Sequence, residues 1–302
     1  MNEMSKEPGQ TVTLPDGRQL GYLTVGEGKP VFWLSPSSRL QVLSLKGIAG
    51  SKHLQVIGVD RPGFGLSTYA PNMRITDFAT DVSFLADHLG IDKFILVGWC
   101  AGGPYVITCA ALISERIARA LVISGASLPL DTSDMDLMGR ITQKLPTVPI
   151  VGTWSTTIYL KMQKNMFMKI LKGPDEFLKS WSGKMFLGAQ AEEYVKFWTT
   201  SSSENREVFA RQIIEMYHQG RDSIRASINQ TRLSKREWEV DLSQITPGLV
   251  HIWHGTADNI VPVSNSYKNA KDIPGAQLRI FENEGHLCWL NHLKELGDLL
   301  SS

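Results

Sequence analysis

Phe94-Ile95-Leu96-Val97-Gly98-Trp99-Cys100-Ala101-Gly102-Gly103-Pro104-Tyr105 holds the information on which the fold turns. The apolar run before Gly98 reads as a buried strand, Lys93–Val97. The run Ala101–Leu112 is apolar nearly all round, as a buried helix is. Between them stands Gly-x-Cys-x-Gly-Gly. A strand that turns into a helix within a few residues forces the residue at the apex into a strained backbone, with its side chain projecting. Glycines two before and two after leave room for the close crossing. The helix N-terminus just beyond favours negative charge. A thiol at Cys100 is therefore biased toward thiolate and reads as a nucleophile. The Ala101 N–H is placed to stabilise an oxyanion.

Outward from this turn the chain alternates strands and helices. Toward the N-terminus, Thr11–Leu14 and Gln19–Val25 read as a hairpin about Pro15-Asp16-Gly17. Val31–Leu34 and Leu54–Val59 read as buried strands. Ile75, Phe78, Val82, Leu85 and Leu89 recur at helical spacing, and Gly90 ends that helix. Toward the C-terminus, Arg119–Ser124, Leu249–His254 and Gln277–Phe281 are strand-like. A helix near Val263–Ala270 and one after His286 complete the rhythm. Such alternation predicts an α/β fold, a mostly parallel twisted sheet with helices on both faces. The rhythm breaks between about residues 127 and 236, where only helical stretches occur. The predicted organisation is a core in two parts, 1–126 and 237–302, with a helical cap, 127–236, inserted between them.

The elbow is similar to that of the α/β-hydrolase superfamily, which normally reads Gly-x-Ser-x-Gly. Two further segments carry the resemblance. His254-Gly255-Thr256-Ala257-Asp258, followed by Val261-Pro262, resembles the segment bearing the family's triad acid. Gly285-His286-Leu287, after the last strand, resembles its catalytic histidine loop. The order nucleophile, acid, histidine is the family's order. The resemblance implies a Cys100–His286–Asp258 triad, with His286 as base and Asp258 fixing its tautomer. Asp60-Arg61-Pro62-Gly63-Phe64-Gly65 resembles the family's turn after its fourth strand and reads as loop architecture. Trp99, Ser35 and Leu287 are expected to line the substrate site.

This chain departs from the family pattern in two places. The nucleophile is cysteine, and the loop after Val31–Leu34 lacks the usual His-Gly pair. It reads Ser35-Pro36-Ser37-Ser38, and Pro36 has no N–H to offer. The second oxyanion donor must then come from Ser35 or Ser37. A thiolate gives a thioester intermediate that can pass to water or to another acceptor. The leading expectation is a hydrolase of an ester, lactone or thioester acting through an acyl-cysteine. An acyltransferase or cyclase using the same intermediate is the next. A non-catalytic ligand binder, or a lyase or isomerase using the triad for proton transfer, would share the scaffold. The insertion carries many large apolar residues, among them Met135, Met138, Trp154, Met162, Phe167, Met185, Phe186, Phe197 and Trp198. Most must pack the cap, and the remainder point to an apolar acyl, lactone or polyketide-like substrate.

Composition closes off other classes. A formal net charge of +1 gives no nucleic-acid or membrane-surface signal. No apolar run approaches the ~20 residues of a membrane span. Met1–Gln10 is polar and charged and is not read as a signal peptide. Three cysteines make a poor disulfide framework, so a reducing, cytoplasmic setting is expected. There is no metal-ligand spacing and no dinucleotide fingerprint, and Gly98–Gly103 lacks the Gly-Lys-[Ser/Thr] of a phosphate loop. No metal or cofactor is expected. Self-association as a homodimer stays open.

Overall fold

The β-branched and aromatic runs pair into one sheet of eight strands in a computed structural model, which describes residues 8–36, 38–135, 140, 151–181, 184 and 192–302. The strands are β1 (Gln10–Thr13), β2 (Gln19–Val25), β3 (Lys29–Leu34), β4 (Leu54–Val59), β5 (Phe94–Trp99), β6 (Ile117–Ile123), β7 (Val250–Gly255) and β8 (Gln277–Phe281). Their order across the sheet is β1-β2-β4-β3-β5-β6-β7-β8. The hairpin and the β2–β4 pair are antiparallel, and every pair from β4 to β8 is parallel.

Alternation sends successive side chains of the central strands to opposite faces. Phe32, Leu34, Phe94 and Leu96 join one apolar cluster. Val31, Trp33, Ile95 and Val97 join the other. The first face is covered by helices α2 (Asp77–His88) and α3 (Gly103–Leu112). The second is covered by α1 (Lys46–Lys52) and by a C-terminal helix, Leu293–Ser301. All six residues of β5 are buried, because both faces are covered.

After β6 the chain leaves the sheet and forms α4 (Val151–Lys172), α5 (Pro174–Lys179), α6 (Glu192–Thr200), α7 (Ser203–Glu215) and α8 (Arg221–Leu233). No strand occurs among the described residues of this stretch. It has an apolar centre of its own around Phe167, Ile170, Phe177, Trp198, Ala210 and Ile214. Met138, Met185 and Phe186 lie outside the described residues. The chain then re-enters the sheet at β7 and closes with α9 (Ser264–Asp272), α10 (Cys288–Asn291) and α11 (Leu293–Ser301).

One buried ion pair, Arg39–Glu215, joins this helical stretch to the rest of the fold, and Asp60 shares the same arginine. Arg39 Nη1 lies 2.8 Å from both Asp60 Oδ2 and Glu215 Oε1, and the Arg39 and Asp60 side chains are fully buried. Asp60 also accepts the Arg39 and Leu66 amides. The Asp60 turn is therefore an anchor for α7 as well as a loop.

The order β4-β3-β5 places the reversal of strand direction of progress between β3 and β5. Open α/β sheets bind ligands beyond the carboxyl ends of their strands at such a switch point. Leu34 pairs with Gly98 there, so the loops beginning at Ser35 and Cys100 emerge side by side.

Candidate active site

The elbow forms because the turn can be made only with glycine at its crossings. A Cβ on Gly98 would lie 2.6 Å from the Gly102 carbonyl oxygen, and one on Gly102 would lie 2.1 Å from that of Leu34. With that space, β5 runs to Trp99, two residues further than the sequence pattern suggests. A single 3-10 turn, Cys100–Gly102, then leads into α3. Pro104 occupies the first turn of α3, where its missing N–H costs nothing. Cys100 sits at the apex with φ of 55°, a left-handed backbone that L-residues adopt only under constraint. It is partly exposed, while Cys109 and Cys288 are buried. Burial pushes both of those thiols up to about 12.

Asp258 and His286 meet from separate loops. Asp258 follows β7 in a turn that its own carboxylate holds, with Oδ1 accepting the Ile260 amide at 2.8 Å and the Val261 amide at 2.9 Å. Its Oδ2 receives His286 Nδ1 at 2.7 Å. His254 Nε2 lies 3.1 Å from the same oxygen and 2.8 Å from the Val261 carbonyl, while its Nδ1 meets the Ser266 hydroxyl at 2.6 Å. An Nε2–H tautomer of His254 satisfies all three contacts. This fully buried ring thus braces the carboxylate from behind.

The electrostatics are those of a charge pair. Burial alone would raise the Asp258 carboxyl, but the His286 charge and hydrogen bonds from His254 and His286 outweigh it and hold it well below the usual carboxylate range. Burial alone would lower the His286 ring. Attraction to Asp258 and to Cys100, with a hydrogen bond to each, raises it well above the ordinary histidine value. His286 is therefore bonded to Asp258 and electrostatically linked to Cys100, so the three residues singled out in the sequence lie in one neighbourhood.

The remaining predicted residues take different places. Trp99 is buried beneath the histidine. Its indole N–H donates to the His286 carbonyl at 3.2 Å, and its ring stands 5.3 Å from the imidazole. Leu287 is also buried. The Ser35 hydroxyl donates to the Ser38 carbonyl at 2.9 Å. Ser37 lies outside the described residues. Ala101 follows Cys100 in the 3-10 turn, and its carbonyl faces the Gln230 amide of α8 at 3.5 Å.

Two residues that sequence reasoning did not place at the site belong to it. Arg61 is buried and donates to the Ser35 carbonyl at 3.1 Å and to the Pro36 carbonyl at 2.6 Å. Its guanidinium stands over the Phe64 ring at 4.7 Å. The turn read as loop architecture therefore also fixes the Ser35–Pro36 segment. Glu193 of α6 bonds the His286 and Leu287 amides. Nothing in the sequence marks Glu193, because it lies 93 residues from the histidine it touches. A small cleft lined by Arg61, Tyr105 and Gln230 among others opens beside the first turn of α3.

Among the described residues, no three His, Cys, Asp or Glu side chains converge as a metal site requires. No helix among them is long and apolar enough to cross a membrane.

Comparison with known proteins agrees with this fold. A family profile described as the alpha/beta hydrolase fold matches residues 42–293. A non-heme haloperoxidase of Rhodococcus erythropolis is 27% identical over 305 aligned residues, covering 96% of this chain and 97% of that protein. A pimeloyl-[acyl-carrier protein] methyl ester esterase of Legionella pneumophila is 26% identical over 238 residues, covering 79% of each. The crystal structure of a bromoperoxidase from Bacillus anthracis superposes with a TM-score of 0.68 at 19% identity, covering 97% of this chain and 98% of that one.

Proposed function

Because the chain belongs to the alpha/beta hydrolase fold family, we propose that it is a hydrolase that cleaves an ester, lactone or thioester of an apolar small molecule through an acyl-cysteine at Cys100. The observation that carries this reading is the buried Asp258–His286 pair at 2.7 Å, with the imidazole coupled on its other side to a thiol at a strained apex.

In the proposed reaction the Cys100 thiolate attacks the carbonyl carbon. The N–H of Ala101 and a donor from the Ser35–Ser37 loop stabilise the oxyanion. The tetrahedral intermediate collapses, the bond to the leaving oxygen or sulfur breaks, and His286 gives that atom its proton. Water then enters. His286 takes a proton from it, hydroxide attacks the thioester, the C–S bond breaks, and the carboxylic product leaves with Cys100 again a thiolate. Asp258 keeps Nδ1 of His286 protonated throughout, so that Nε2 faces the chemistry.

The helical stretch 127–236 is read as a cap over this site. Glu193 reaches the site from it, and Glu215 anchors it to the core. Its aromatic and methionine content suits an apolar acyl, lactone or polyketide-like group. Ser35, Trp99 and Leu287 would lie along the substrate's path, Trp99 acting through its hold on His286. The ester class in the name of the Legionella relative fits the same reading. Three unpaired thiols suit a reducing, cytoplasmic setting.

Intact-mass measurement with a panel of activated acyl esters tests the proposal. The wild-type protein should gain one acyl group and Cys100→Ala should gain none. Equal labelling of both proteins, or undiminished turnover by the variant, rules out acyl-Cys100. Release of the adduct to water alone, rather than to an added alcohol or amine, separates hydrolysis from acyl transfer.

A further inference from the structure

One charged side chain of the helical stretch enters the catalytic loops. Glu193, half-buried in α6, accepts the His286 amide on Oε1 at 2.7 Å and the Leu287 amide on Oε2 at 2.8 Å. These consecutive N–H groups lead into α10, which has no side-chain cap of its own. The carboxylate thus supplies from another element the acceptors for two consecutive loop amides. The second observation is Gly285. A Cβ there would lie 2.4 Å from both Cδ and Oε2 of Glu193. Glycine before His286 leaves this carboxylate its place, and a Cβ there would have to push the carboxylate aside.

The backbone of His286 is consequently held at both ends. Its N–H is tied to α6, and its carbonyl is tied to the Trp99 indole beside the nucleophile at 3.2 Å. Its ring is held by Asp258. Tyr194 and Phe197, on the same helix as Glu193, pack against the apolar cluster that Cys100 also touches. The seat of α6 and the seat of the histidine loop are therefore one mechanical unit. Asp258, Cys288 and Tyr194 share this pocket with Glu193 and His286, and burial pushes the Glu193 carboxyl up while the two amides and the His286 charge draw it back.

We propose that Glu193 is a positioning residue that couples the docking of helix α6 to the alignment of His286 with Cys100. Withdrawal of α6 removes both acceptors at once and frees the loop. A displacement of about 1 Å at a reacting pair costs on the order of 100-fold in rate. The inference rests on the reading that Cys100 and His286 act together.

The test needs no knowledge of the substrate. Full-length protein is alkylated with iodoacetamide across pH, and Cys100 is followed by peptide mass, with buried Cys109 and Cys288 as internal controls. The variants are Glu193→Ala, Glu193→Gln, Gly285→Ala and the double variant Glu193→Ala/Gly285→Ala. Glu193→Ala and Gly285→Ala should each slow Cys100 labelling near neutral pH at least about tenfold. Glu193→Gln, which keeps one acceptor oxygen and turns an NH₂ toward an amide, should fall between. The double variant should be no slower than Glu193→Ala, because Gly285 matters only while the carboxylate is there. Amide exchange at His286 and Leu287 should be slow in wild type and fast in Glu193→Ala. Wild-type labelling rates in Glu193→Ala, or effects that multiply in the double variant, overturn the inference and leave the triad reading intact. A wild-type Cys100 no more reactive than a free thiol overturns the triad reading, and this coupling with it.

Discussion

Asp258→Asn is the substitution whose effect follows most directly from the geometry. It removes one negative charge at nearly constant volume. The retained carbonyl oxygen can still accept the Ile260 and Val261 amides, so the turn should survive. The other atom becomes an NH₂ that faces His286 Nδ1 at 2.7 Å and His254 Nε2 at 3.1 Å. Donor then faces donor at both contacts. His286 relieves the conflict by taking the opposite tautomer, which points an N–H at Cys100 where a proton acceptor is required.

The charge loss adds to this. With charge centres about 4 Å apart and an effective dielectric of about 20, the lost attraction is about 4 kcal/mol. At 1.36 kcal/mol per factor of ten, that is about a thousandfold less support for positive charge on the His286 ring. The wrong tautomer brings the expected fall in kcat to about 10⁴-fold, the size found for the same change in a Ser-His-Asp triad, with KM little altered. Pre-steady-state acylation with an activated ester measures it, and urea unfolding run in parallel checks the fold. A variant that folds and keeps a tenth of the wild-type acylation rate would refute the assignment of Asp258.

Two further expectations concern stability and pH. The lowered Asp258 carboxyl contributes stability above the ordinary value of 3.8, lost only as pH falls through its lower folded value. The raised His286 contributes stability below 6.5, lost as pH rises through its higher folded value. Urea unfolding against pH should show both edges shallower in Asp258→Asn, and the alkaline limb of kcat/KM in wild type should lie above 6.5; a limb at 6.5 contradicts the charge pairing. Arg39→Ala should cost about 3–5 kcal/mol, because it leaves Asp60 and Glu215 buried without a counter-charge. The loss should be greater at pH 8 than at pH 5, because burial already pushes the Asp60 carboxyl up and its orphaned charge is more readily neutralised in acid, and a loss below 1 kcal/mol by urea unfolding at pH 8 would remove Arg39 as the anchor of α7.

The legible features were those written in consecutive residues. Apolar runs bounded by glycine and polar loops placed β3, β4, β5 and β8 to within two residues at each end, because a strand buried on both faces needs such a run. The helix of residues 77–88 was visible through its spacing of three and four. The elbow was legible for a steric reason: Gly98 and Gly102 stand where a Cβ would meet backbone. The boundary at Ala101 was less so, since a 3-10 turn and the start of an α-helix draw on the same small residues. The reading of Asp60–Gly65 as loop architecture was incomplete. A turn signal reports the path of the chain and not what Arg61 or Asp60 will meet across the fold.

The sequence by itself determined the order of strands and helices and the strained turn at Cys100, and it singled out Cys100, Asp258 and His286, each carried on a short local pattern. Only the tertiary structure decided how the histidine is held. Trp99 packs against the His286 ring, and its indole N–H donates to the His286 carbonyl. Arg61 fixes the Ser35–Pro36 loop, and Glu193 fixes the histidine loop from a helix nearly a hundred positions away. The physical reason is one of range. Backbone sterics and side-chain periodicity act between near neighbours and leave their mark in the local pattern. Hydrogen bonds between loops depend on where distant segments arrive, and a single carboxylate on an exposed-looking helix carries no local trace of the amides it will meet.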